Sequence, residues 1–157
     1  MKSALPALLW LLAAPALAAT PPLQHINPPT LAAPHGYTHV VAAEGGRMLF
    51  IAGQVPLDKD GKLVGAGDYA AQVRQTFENL KAALAAGGAD FSNVVDMTTY
   101  VTDMAQIDTY RKIRNQYMSG PLPAASLVEV KGLFRGDVML EISAIAVVPA
   151  LQAPAKP

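Results

Sequence analysis

The most regular pattern in the chain lies near its C-terminus. Along Val138 to Val148 side chains alternate between the two sides of a strand, with Val138, Leu140, Ile142 and Ala144 on one and Met139, Glu141 and Ser143 on the other. A second β-prone run, Pro123 to Val130, precedes it, and the segment between them, Lys131 to Asp137, carries two glycines and a Gly-Asp pair. That spacing predicts a strand pair joined by a hairpin-type connection. Ala125 and Leu127 are then expected beside Glu141, on the side turned away from the main core. A carboxylate in the middle of an apolar strand is costly unless it is solvated, paired or used. Any site is therefore expected on that second face.

Upstream, Tyr37 to Ala43 and Arg47 to Ala52 are short β-prone runs separated by Glu44-Gly45-Gly46, a hairpin signal. Asp68 to Ala86 predicts a helix, with Asp68 as N-cap and Gly87-Gly88 as the stop. Ala70, Val73, Phe77, Leu80 and Leu84 give it one apolar stripe. Val94 to Thr102 reads as a strand, with Val95, Met97, Thr99 and Val101 opposite Asp96, Thr98, Tyr100 and Thr102. A second helix is expected from Ala105 to Met118, with Ile107, Tyr110, Ile113 and Tyr117 inward and Arg111 and Arg114 flanking them; Gly120, Pro121 and Pro123 end it. The order is ββ(β)-α-β-α-ββ, an α+β domain in which two helices cover one face of a mixed sheet. The other face must meet water, a ligand or another copy of the chain. Self-association is expected, because Leu127, Met139 and Tyr100 would otherwise expose apolar surface.

The ends read differently. Lys2 precedes an apolar run from Ala4 to Ala19, and Ala16-Leu17-Ala18 fits a small-x-small cleavage site, so residues 1–18 are expected to be a secretory signal peptide. The run is short for a bilayer span and is broken by Pro6 and Pro15. The expectation is a periplasmic or secreted protein, with no membrane attachment after cleavage. Residues 19–35 are rich in Pro and Ala and read as an unpaired tether. The domain follows over 36–149, and 150–157 reads as a disordered tail.

Composition removes several functions. The chain has 157 residues and a formal net charge of zero, which gives no electrostatic case for nucleic acid or an anionic surface. With no cysteine there is no disulfide, thiolate metal site or cysteine nucleophile. His25 and His35 lack companion ligands and read as solvated. Asp58 and Asp60 are spaced like the start of a calcium loop, but no Glu follows at the twelfth position, so the pair reads as a turn. The glycines at 61, 65 and 67 match no phosphate-binding loop.

Several separated segments, taken together, resemble the RidA/YjgF family. They are Gly36-Tyr37, Phe50-Ile51-Ala52-Gly53-Gln54-Val55-Pro56, the helix with Ala71-Gln72 and Asn79-Leu80, Val101-Thr102-Asp103-Met104, the run Pro123 to Val130, and Glu141-Ile142-Ser143-Ala144-Ile145-Ala146. The resemblance covers Gly36 to Pro149. It implies a chorismate-mutase-like fold assembled as a homotrimer, with small-molecule sites in the clefts between subunits. It also implies hydrolysis of reactive 2-imino acids to 2-oxo acids and ammonia, with no metal or organic cofactor. Residue by residue, Glu141 matches the glutamate that holds the attacking water, Tyr37 the pocket tyrosine, and Gly53 the glycine of a Ser-Gly-Gln turn whose serine is here Ala52. Leu127 stands where cysteine is frequent, and Arg111 where asparagine is common. The loop before Pro123 is a few residues shorter than the family's.

The main departure is Ala125, which stands where the resemblance has the arginine that grips the substrate carboxylate. A guanidinium holds a carboxylate through two parallel charged hydrogen bonds, and losing both weakens binding by roughly ten- to several-thousandfold. Three readings follow: Arg111 or Arg135 takes over, the substrate has no carboxylate, or the pocket binds without turnover. The leading expectation is an imine or enamine hydrolase with altered substrate recognition. The alternative is a trimeric ligand-binding or protein-protective module, in which Glu141 pairs with Arg111 or Arg135 of a neighbouring subunit. Ribonuclease activity ranks below both on charge and expected export.

Overall fold

The computed structural model describes residues 23–149. The expected signal peptide, the start of the expected tether and the expected tail lie outside these residues. Among them six strands and two α-helices follow in order: β1 (Leu23–Ile26), β2 (Val40–Ala43), β3 (Arg47–Gln54), α1 (Tyr69–Ala86), β4 (Val94–Val101), α2 (Ile107–Tyr117), β5 (Ala124–Glu129) and β6 (Leu140–Val148).

Both helices form where the apolar spacing places them. Asp68 caps α1 by accepting from the Ala71 N–H at 3.0 Å. At the other end Gly88 N–H donates to Ala85 O and Ala89 N–H to Leu84 O, both at 2.9 Å, the paired bonds that close a helix at a glycine. Val73, Phe77, Leu80 and Leu84 of α1 are wholly buried against Leu140, Ile142 and Ala146 of β6 and Met97 and Val101 of β4. This single core lies between the helices and one sheet face.

The strand order, β3-β6-β4-β5, departs from two expectations. Pro123–Val130 and Val138–Val148 are both strands, but they are not a pair. β6 runs antiparallel between β3 and β4, whereas β5 lies parallel to β4 on its far side. A parallel neighbour needs a crossover, and α2 is that crossover. The Lys131–Asp137 segment therefore turns the chain back across the end of β4, to the strand on its far side rather than to an adjacent partner. Gln72 of α1 catches it there, its amide donating to Asp137 O (2.9 Å) and Gly65 O (3.1 Å) while its Oε1 accepts from Met139 N–H (2.9 Å).

The second departure involves the expected tether. Leu23–Ile26 is not unpaired backbone but a strand that pairs antiparallel with β2 from Leu23↔Ala43 to Ile26↔Val40. With that edge taken, β2 does not pair with β3 across Glu44-Gly45-Gly46, and β3 joins β6 instead. Beyond Ile51 a bulge leaves Ala52 and Gly53 out of register before Gln54 pairs with Ile142.

Gln72 is fully buried and satisfies three backbone groups at once. Gln72→Met keeps the volume and strands those groups, each costing about 1–3 kcal/mol when left buried and unpaired. Denaturant unfolding at fixed protein concentration should show a loss of about 3 kcal/mol or more.

Candidate functional site

The strand register decides which site residues meet. Ala125 lies opposite Met97 and Leu127 opposite Thr99, and both Met97 and Thr99 are buried under the helices. Glu141 lies opposite Tyr100, which projects to the helix-free side with Thr98. Ala125 and Leu127 are thus on the opposite face from Glu141, contrary to the expectation that they share it. The expectation fails because β4 stands between the two strands, so the parity of β5 is set by β4 and not by β6.

The candidate residues therefore fall into two separate groups. The first is a cavity of about 320 Å³ between α2, β5 and the loop that precedes β2, and it gathers Tyr37, Arg111, Ala125 and Leu127. Its floor includes Thr99 and Tyr110, whose hydroxyls share a hydrogen bond of 2.9 Å. Burial pushes the Tyr110 phenol above its ordinary range, with the Thr99 contact working the other way. The loop bearing Tyr37 is held at both sides: Thr38 N–H donates to Pro123 O at 2.9 Å, its hydroxyl to Leu122 O, and Arg114 Nη1 donates to Gly36 O at 2.9 Å. Gly36 sits at φ +90°, and a Cβ there would lie 2.9 Å from Arg114 Nη2, so the position needs glycine on both counts.

Sequence reasoning puts Arg114 beside the helix stripe, yet only 7% of it is exposed and it lines the cavity. Its spacing holds the signal: Ile107, Tyr110, Arg114 and Tyr117 recur at steps of three, four and three, so an arginine stands inside the apolar stripe. Burial lowers its basicity, a nearby Tyr110 opposes this, and the like charge of Arg111 adds to the lowering. Arg135 behaves differently. In the loop after β5 it is committed to Asp137 through Nε (3.0 Å) and Nη2 (2.8 Å), outside the cavity.

The second group is on the helix-free face. Glu141 is half-buried at the start of β6, and a Cβ built on Gly53 would overlap its carboxylate, so the bulge in β3 opens room for that group. Among the described residues no cation lies within salt-bridge distance of it. Nor do three or more His, Asp or Glu side chains cluster as metal ligands among them. Phe50, 75% exposed, and Met48, 55% exposed, lie on the same face farther along the sheet, opposite Ile145 and Val147, with Val128 across it beyond Tyr100. Leu127 and Met139, expected to be exposed here, instead pack against the core.

A four-stranded mixed sheet with both helices on one face defines the chorismate-mutase-like class of α+β domain. The family described as Endoribonuclease L-PSP matches residues 28–148, and the chain belongs to it; this is the RidA/YjgF family. Protein DfrA of Myxococcus xanthus is 41% identical over 111 residues, 71% of this chain and 84% of that one. The 2-iminobutanoate/2-iminopropanoate deaminase of Mus musculus is 38% identical over 106 residues, 68% and 78% of the two chains. Among solved structures, the Rid family protein YyfB of Yersinia pestis superposes with a TM-score of 0.75 at 35% identity, covering 81% of this chain and 99% of that one.

Gly36→Ala forces a left-handed backbone and a clash with Arg114, so it should cost about 1–3 kcal/mol in denaturant unfolding. Gly132→Ala, whose Cβ would meet open space at an ordinary φ, should change stability by less than about 0.5 kcal/mol.

Proposed function

We propose that the chain is a hydrolase of reactive imine and enamine intermediates, acting at sites completed between copies of itself. The observation that carries this reading is Glu141: a carboxylate with no cation at ion-pair distance among the described residues, against the backbone of Gly53, on a face that exposes Phe50 and Met48. A carboxylate so placed can hold a water and take its proton as the oxygen attacks the C=N carbon. The C=N bond becomes C–N, the nitrogen is protonated, and ammonia leaves as the C=O forms, so imine and water give carbonyl compound and ammonia.

In one chain the cavity with Tyr37 and Arg111 is across the sheet from Glu141. Packing the apolar helix-free face against a neighbour covers Phe50 and Met48 and brings a second chain's cavity edge toward Glu141. A homotrimer with three such clefts is the assembly we infer. The resemblance to deaminases supports the reaction, and the Gly53–Glu141 contact supports the residue. A second reading, a binding module without turnover, is favoured only by Ala125 and Leu127, which leave the cavity walls less polar, and by Ala52 in the bulge beside Gly53. The family's endoribonuclease description finds no support in a chain of zero net charge.

The test is ammonia release from imino acids freshly generated in the assay. Glu141→Gln should lower the rate by about a hundredfold or more, while the protein sediments at the mass of three chains. Equal rates for the two proteins would end the catalytic reading and leave the binding module.

A further inference from the structure

We propose that the cavity beneath α2 is an anion site built on Arg111 and Arg114, and that Arg111 holds a small-molecule carboxylate there in place of the arginine absent at position 125. In naming the substrate class this rests on the reading above; as an anion site it stands on the cavity alone.

Arg114 provides the first ground. Its hydrogen bonds go to neutral oxygens, Gly36 O at 2.9 Å and Asn115 Oδ1 at 3.2 and 3.0 Å. Among the described residues no carboxylate is within ion-pair distance of it, and none lines the cavity. A buried charge without a counter-ion is costly, and burial this complete makes the cost large. Arg111 lines the same cavity one helical turn earlier. Its partner is Asp108 at 3.6 Å, whose side chain is 93% exposed. So loose and solvated a pair is worth little, and the Arg111 fork has hydrogens to give. Two guanidiniums on one wall, with no acid between them, repel each other; an anion entering the cavity relieves both.

The remaining lining selects the kind of anion. Met97, Met104, Ile107 and Leu127 are apolar, and Ala125 on the facing strand leaves the room that a longer side chain would fill. An anion with a short apolar tail suits such walls, and a planar guanidinium fork matches a carboxylate. A bare phosphate would leave the apolar walls unused.

Calorimetric titration of the intact protein with 2-oxobutanoate, with the neutral 2-butanone and with inorganic phosphate tests this. The oxo acid should bind more tightly than either of the others. Arg111→Met should weaken it by about ten- to a hundredfold, and Arg111→Lys should lose less. Arg114→Gln should weaken it in the same direction, and Gly132→Ala, at a position facing open space, should leave it unchanged. Unaltered binding in the Arg111→Met and Arg114→Gln variants, or a neutral ketone bound as well as the acid, would overturn the site. Phosphate bound more tightly than the oxo acid would overturn its assignment to carboxylates. If no imine is hydrolysed yet Arg111→Met loses the oxo acid, the proposed reaction falls and the anion site stands. If imines are hydrolysed with an unchanged KM in Arg111→Met, the reaction stands and the clamp falls.

Discussion

Because side chains alternate across a strand, the seating of β6 between β3 and β4 determines which residues of this chain can ever meet. It turns Leu140, Ile142, Ala144 and Ala146 under the helices, where they form the middle of the core, and turns Glu141 out on the bare side. The same seating puts β4 between β6 and β5 and so sends Ala125 and Leu127 into the helix-side cavity. A one-residue slip would bury the carboxylate and expose the core set. Gln72 guards against that slip, since its amide fixes the entry to β6 on both sides, at Asp137 and at Met139.

The cavity and the carboxylate are built by different means. Around the cavity, the chain stores positive charge: Arg114 is sunk in the stripe of α2 and fastened to the loop that carries Tyr37, and Arg111 stands beside it with little to hold it. Around Glu141 the device is space, supplied by a bulge and a residue with no side chain. The exposed apolar side chains on the face of Glu141 are the ground for the proposed assembly, because exposed apolar surface is most stable when covered.

Much of this is legible from the residues alone. The helix α1 announces itself by its capping aspartate, its stripe and its closing glycines, all local signals. The face on which Glu141 points is a matter of period two along one strand and needs no tertiary knowledge. Strand neighbours are another matter. The glycines of Lys131–Asp137 and of Glu44–Gly46 look like hairpin turns, because turn chemistry is local while partner choice depends on edges offered elsewhere. β1 occupies one edge and β4 intervenes at the other. Proline content hides β1 in the same way, since it speaks of backbone propensity and not of the partner that Val40–Ala43 provides. For Arg114, charge suggests the outside of a helix, although its spacing has it inside.

Complementation measures directly whether the sites are shared between chains. One variant carries Glu141→Gln; the other carries Ala125→Trp, which plugs the cavity and leaves Glu141 intact. Each should be inactive alone. Co-expressed in equal amount, they should recover imine hydrolysis, with about a quarter of the clefts pairing an open cavity with an intact Glu141 on random assembly. Mixed assemblies that form but show no more activity than either parent would contradict a site built from two chains.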